Sequence, residues 1–274
     1  MSALEVSVLG LGLLGPGLPS WPAAQAILDG RESYAPTPVV LPPPERLPPA
    51  ERRRAGASIR LAMAVADEAV ARAGVDPKLL ATVFASSGGE GANCHVLCET
   101  LASADRHISP TRFTNSVHNA TAGYWHIAVA SHAASTSLSA FDGSFCAGLI
   151  EAAAQVNSTA APVLLVACDV PYPEPLHKLR ALPHTLGLAL LLAPADAAGA
   201  LARLGIELVD AAGAAPLARC SNVELEALRS GVPAAAALPL LEALARGAAN
   251  QELMLDYLPT LKVKLRLRTM GQSS

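Results

Sequence analysis

The stretch Ser139-Ala-Phe-Asp-Gly-Ser-Phe-Cys-Ala-Gly-Leu, residues 139–149, has the residue types of a nucleophile turn. An apolar run precedes it and a small-residue helical pattern follows, with Asp142 and Gly143 between. Ser144 and Cys146 are the candidate nucleophiles, and they flank the bulky Phe145. A strand-to-helix elbow aims one side chain at a pocket and the helix amides at a developing oxyanion. Successive helical residues are rotated by about 100°, so residues 144, 145 and 146 cannot all face that pocket. A thiol or hydroxyl there also needs a base, a cation or a helix dipole to activate it. No histidine follows His184 to serve as a late-chain base.

Other groups invite chemistry and are weaker. Cys94 and Cys98 stand i, i+4 beside His95, with His118 further on. Zinc sites usually add a second close pair, whereas Cys168 and Cys220 are isolated, so small buried thiols are the plainer expectation. His118, His126 and His132 surround a short helical pattern, and His118-Asn119 lies in a polar loop whose groups must find hydrogen bonds. The glycines of residues 10–17 are too irregular for a dinucleotide fingerprint. Residues 86–91 lack the Lys-Ser/Thr of a phosphate loop. We therefore expect no metal and no cofactor.

These residues need a scaffold. Hydrophobic residues are 51% of the 274, charged residues 16%, and the net charge is −3. That builds a sizeable core with a covered sheet and excludes a basic nucleic-acid surface. No apolar run reaches the ~18 to 20 residues of a membrane span. Five cysteines in this length make no disulfide framework, which points to a reducing cytoplasm. Residues 5–12 read as a buried strand ended by glycines, and 20–29 as a short helix. Residues 35–50 carry seven prolines and read as an extended surface excursion within one domain. Residues 58–73 are a strong helix, with Ile59, Ala62, Met63, Ala66, Ala69, Val70 and Ala73 on one stripe. Strands follow at about 80–86, 135–141, 162–169 and 186–193, separated by helical patterns at 91–103, 122–131 and 146–156. This order predicts a single α/β domain over 1–274. Its sheet would be mostly parallel, five-stranded and covered by helices, with a C-terminal helix and a hairpin at 252–268.

Residues 109–128 (Ser-Pro-Thr-Arg-Phe-Thr-Asn-Ser-Val-His-Asn-Ala to Ala128), 135–153, 163–171 and 238–247 together resemble the amino-terminal half of β-ketoacyl synthases. They resemble more closely a short branch of ketosynthase-like, chain-length-factor-like proteins. The resemblance covers nearly the whole chain and implies a thiolase-like half-fold. Active ketosynthases carry a run similar to Asp-Thr-Ala-Cys-Ser-Ser-Ser-Leu. Placed without gaps on Asp142 to Leu149, it sets the Cys position on Phe145, and Gly148 supports that register. Ser144 falls one residue early and Cys146 one late, and they stay as fallback nucleophiles.

The resemblance further implies two histidines from a second half-fold that this chain lacks, so it would not be catalytic alone. It implies a non-elongating subunit paired as a heterodimer with a complete β-ketoacyl synthase. That pair would serve an acyl carrier protein in aryl polyene, type II polyketide or fatty-acid-like biosynthesis. The strand at 135–141 would pair across a two-fold axis, and pocket or interface residues would be Asn115, Ser116, His118, Asn119, Trp125, Phe141 and Phe145. Two alternatives stay open: a small acyltransferase or thioesterase using Cys146 or Ser144, and a homodimeric acyl-binding or scaffolding protein.

Overall fold

The structure is a computed structural model that describes residues 3–247 and 249–269. Eight strands form one sheet: β1 (Leu4–Leu14), β2 (Ala81–Ala85), β3 (Ser135–Leu138), β4 (Val163–Asp169), β5 (Leu186–Pro194), β6 (Ala202–Asp210), β7 (Gln251–Asp256) and β8 (Leu261–Thr269). Ten α-helices accompany them among the described residues: α1 (Trp21–Leu28), α2 (Pro49–Arg54), α3 (Ala57–Ala73), α4 (Gly91–Ala102), α5 (Pro110–Thr114), α6 (Ala120–Val129), α7 (Ser144–Thr159), α8 (Leu176–Leu179), α9 (Val223–Gly231) and α10 (Leu238–Arg246).

The strand order is β3-β2-β4-β5-β1-β6-β8-β7. Only β2–β3 and β2–β4 pair in parallel, and the other neighbours run antiparallel. The expectation of a mostly parallel five-stranded sheet is therefore corrected to a mixed sheet of eight. Two causes stand out. The crossover helices α4 to α6 and α7 link only β2, β3 and β4, and a parallel connection needs such a crossover. In addition, β6 has an irregular burial pattern, half buried and half wet, and so lacks a clean alternation. The hairpin β7–β8 then extends the same sheet through β6.

Burial explains the apolar runs. β4 is buried throughout and β5 nearly so. Alternate residues feed two cores, because successive strand side chains point to opposite faces. Val163, Leu165 and Ala167 join the core that contains α7 residues, while Leu164, Val166 and Cys168 join the core of α3 and α6. β1 runs on to Leu14 and is not ended by its glycines. Gly10 and Gly12 instead let α3 lie directly on the strand: a Cβ at either would overlap the carbonyl oxygen of Ala69 or Val65. The proline-rich segment has no regular structure over residues 33–44, turns at 45–47 and enters α2 at Pro49, and it is strapped down by side chains. Arg60 donates to the carbonyls of Leu41 and Pro42, Arg52 to those of Glu45 and Leu47, and Leu47 is buried.

Candidate functional site

Three loops leave the carboxyl ends of the three parallel strands together: Ser86–Gly89 after β2, Ser139–Gly143 after β3, and Val170–Arg180 after β4. Open α/β sheets bind ligands at this edge. Asp169, the last residue of the apolar β4, ties the edge together. Its buried carboxylate accepts from Ser87 N (2.8 Å), Ser87 Oγ (2.7 Å) and Ala234 N (2.8 Å), which joins the glycine turn to the short helical turn before α10. Burial pushes this carboxyl above the usual range, and the hydrogen bonds from Ser86, Ser87 and Ala234 oppose that.

The elbow between β3 and α7 turns at Phe141, which holds a left-handed φ of 53° and is 62% exposed. A bulky residue at positive φ is a backbone outlier, and such outliers gather at functional sites. Ser144 closes the elbow: its Oγ accepts from Ala140 N at 3.0 Å and donates to the Phe141 carbonyl at 2.7 Å. Phe145, where the ungapped placement puts the nucleophile position, lies one turn further along. It is fully buried, in the same core cluster as Val83, Leu149 and Leu165. Cys146 is also fully buried, with its thiol 3.3 Å from the Asp256 carbonyl oxygen. Burial, reinforced by the Asp256 charge, pushes that thiol up to about 12. Among the described residues no histidine is hydrogen-bonded to Ser144 or Cys146, whose partners are backbone groups.

Phe141 has a partner that the sequence reading missed. The Arg180 guanidinium carbon sits 3.4 Å from the centre of its ring, and Arg180 Nη2 donates to Asp142 Oδ1 at 2.7 Å. The stacked pair separates two cavities. One, of about 410 Å³, is lined by Ser87, Gly88, Cys94, His95, Cys98, Tyr172 and Leu176. The other, of about 470 Å³, is lined by Asp142, Arg229, Val232, Pro233, Asp256 and Tyr257. Two signals were present in the sequence: a lone carboxylate ending an apolar strand at Asp169, and the aromatic and basic residues of the loop behind it. Arg180 itself carries no motif.

The remaining expected site residues stand apart. Asn115 is buried, accepting from the Tyr124 hydroxyl at 3.1 Å and donating to the Arg54 carbonyl at 3.2 Å. Trp125 is core. Ser116 Oγ donates to the Phe113 carbonyl at 2.7 Å. His118 and Asn119 are exposed, and Asn119 occupies the cap position of α6 without a side-chain cap bond. None of these five lines either cavity. Cys94 and Cys98 are exposed, contrary to the expectation of buried thiols. Partial desolvation and the neighbouring Cys98 raise the Cys94 thiol, and His95 pairs with Glu99. The described residues contain no cluster of three metal-ligating side chains.

A three-stranded parallel edge, an elbow into a buried helix, and antiparallel strands beyond define the thiolase-like fold of ketosynthases. The chain belongs to the family described as "Beta-ketoacyl synthase, N-terminal domain", whose sequence pattern matches residues 21–246. Solved structures similar to the chain include the following three. The first is a ketosynthase (ApeO) in complex with its chain length factor (ApeC) from Xenorhabdus doucetiae. The match is 22% identical with a TM-score of 0.72, over 96% of this chain and 99% of that one. The ishigamide ketosynthase/chain length factor is 15% identical with a TM-score of 0.74, over 97% and 99%. The AntDE:AntF complex, a type II polyketide acyl-carrier protein with its ketosynthase, is 14% identical with a TM-score of 0.76, over 98% and 100%. At these identities the likeness is one of fold. Among curated protein sequences none matches significantly.

Proposed function

We propose that the chain is a non-elongating, ketosynthase-like subunit that pairs with a complete β-ketoacyl synthase and helps shape the space for a carrier-bound acyl chain. One observation carries this reading: the elbow is kept, but the residue at its turn is an aromatic ring. The left-handed position is where a strand-to-helix elbow presents its reactive side chain, and here it is Phe141. On this reading the nucleophile-equivalent position is Phe141 in place of Phe145, and the residue there is a phenylalanine in either register. Ser144 and Cys146 are spent on backbone contacts, which weighs against a small acyltransferase or thioesterase. That three similar folds come from ketosynthase complexes, two of them with chain length factors and one with an acyl-carrier protein, supports the choice of partner.

The test is co-expression with a complete ketosynthase and its carrier protein, read by size-exclusion with light scattering. A one-to-one complex is expected. A stable monomer that ignores the partner overturns the reading, and a symmetric homodimer that binds acyl chains unaided favours a scaffold instead. Intact mass after incubation with acyl thioesters should show no adduct; an adduct lost in Cys146→Ala or Ser144→Ala would make the chain an acyltransferase.

A further inference from the structure

Two thiols meet on α4. Cys94 and Cys98 are four residues apart inside one helix, so they share a face and lie one turn apart. Both are exposed, whereas Cys146, Cys168 and Cys220 are buried. The pair is in direct contact. After partial desolvation, the charge of Cys98 and a hydrogen bond between the two side chains raise the Cys94 thiol.

Spacing decides what can join them. Cβ atoms at i and i+4 of a helix lie about 5–6 Å apart, whereas a disulfide holds its Cβ atoms ~3.5–4.5 Å apart. A direct S–S bond would require α4 to unwind. A bridge through one interposed atom is longer by a bond and leaves the helix in place. No third protein ligand completes a metal site. His95 Nε2 is committed to Glu99 Oε1 at 3.2 Å, and the described residues hold no cluster of three metal-ligating side chains. Zinc would want four ligands. What the helix offers is two soft sulfurs, which suit a thiophilic centre and not a hard cation.

The space beside the sulfurs is shaped for a flat group. Cys94 and Cys98 line the cavity of about 410 Å³ with Tyr172, Pro173 and Leu176. Two glycines fix Tyr172 against the start of α4: a Cβ at Gly88 or Gly91 would overlap its phenol ring. The volume falls within the ~300–1,000 Å³ of small-molecule sites.

We infer that Cys94 and Cys98 form a dithiol site for a trivalent arsenical, whose arsenic bridges both sulfurs and whose single flat organic group rests on Tyr172. The step balances without redox change. Two thiols displace both hydroxyls of R–As(OH)2, two S–As bonds replace two O–As bonds, and the thiol protons leave in two waters. The site stands whether or not the chain pairs with a ketosynthase, so its test is separate from the co-expression test above.

The experiment uses the full chain, reduced and freed of reductant, with phenylarsine oxide and methylarsonous acid as probes. Intact mass gives the stoichiometry and peptide mass the location. One arsenic per chain is expected, on the α4 peptide, surviving an excess of monothiol and released by a 1,2-dithiol. Cys94→Ser and Cys98→Ser should each weaken retention about hundredfold or more, as loss of the second, intramolecular attachment dictates. Cys98→Ser combined with Glu99→Cys keeps two thiols on the helix but turns one by about 100°, and it should not restore retention. The phenyl compound should be held more tightly than the methyl one, and Tyr172→Ala should erase that difference. The buried Cys146, Cys168 and Cys220 should stay unmodified in every variant until denaturant is added, which certifies the fold. Two arsenics per chain, unchanged retention in either single variant, or retention restored by the displaced thiol would overturn the dithiol site. Equal retention of phenyl and methyl would overturn the seat on Tyr172.

Discussion

Single atoms decide reactivity at the elbow. Burial and the Asp256 charge push the Cys146 thiol up to about 12, so at neutral pH it stays protonated and unreactive. A maleimide pulse on the native chain should therefore modify Cys94 and Cys98 and spare Cys146 until denaturant is added. Rapid native labelling of Cys146 would reopen its candidacy as a nucleophile. Asp169 is the second residue to watch. Asp169→Ala leaves the Ser87 and Ala234 amides without their acceptor and should cost about 3 kcal/mol in denaturant unfolding. Its carboxyl is raised in the folded state, so the native chain binds the proton more tightly than the unfolded one. That contribution makes stability fall as pH rises from the ordinary carboxylate range through the raised value. Asp169→Asn should flatten this part of the pH profile, and an unchanged slope as pH rises above the ordinary carboxylate range would assign it to other groups.

At the level of elements, the close seat of α3 on β1 governs stability. Gly10→Ala or Gly12→Ala drives a methyl into a helix carbonyl, where only backbone movement gives relief. Overpacking of this kind costs about 1–3 kcal/mol and can cost more. Either variant should lower the thermal midpoint by several degrees, whereas Gly123→Ala, exposed on α6 with open space for the added methyl and ordinary helical backbone angles, should not. The glycine pattern of residues 10–17 was legible as unusual, but its meaning was not. Glycine marks a turn or a close approach equally well, and the choice depends on a helix some 50 residues away. The same limit applies to β6, whose half-wet pattern says nothing about its neighbours until β1 and β8 flank it.

On the scale of the whole molecule, the sheet ends at β3, a short uncharged strand of Ser, Thr and Leu. An unprotected edge of that kind is a template for pairing. The carbonyls of Ala134 and Leu138 accept from β2, so strand alternation turns the Ser137 amide outward. Ser137→Pro removes that donor and leaves the ladder to β2 intact. If the proposed partner pairs here, the variant should abolish association in light scattering with its unfolding midpoint within about 1 kcal/mol of the parent. Retained association would place the interface elsewhere.

Local chemistry made much of this protein readable in advance. The apolar runs of β4 and β5, the stripe of α3, the proline excursion and the strand-turn-helix at residues 139–149 all follow from short-range pattern, because burial and helix periodicity are written into neighbouring residues. The mixed pairing of the sheet, the residue at which the elbow turns, and the meeting of Phe141 with Arg180 were decided only by the tertiary structure. Each of these depends on groups brought together across the chain: β1 between β5 and β6, and a guanidinium 39 positions from the ring it covers. No spacing rule encodes such distances, since they are set by which strands neighbour one another in the sheet and by where the loops at its carboxyl edge converge.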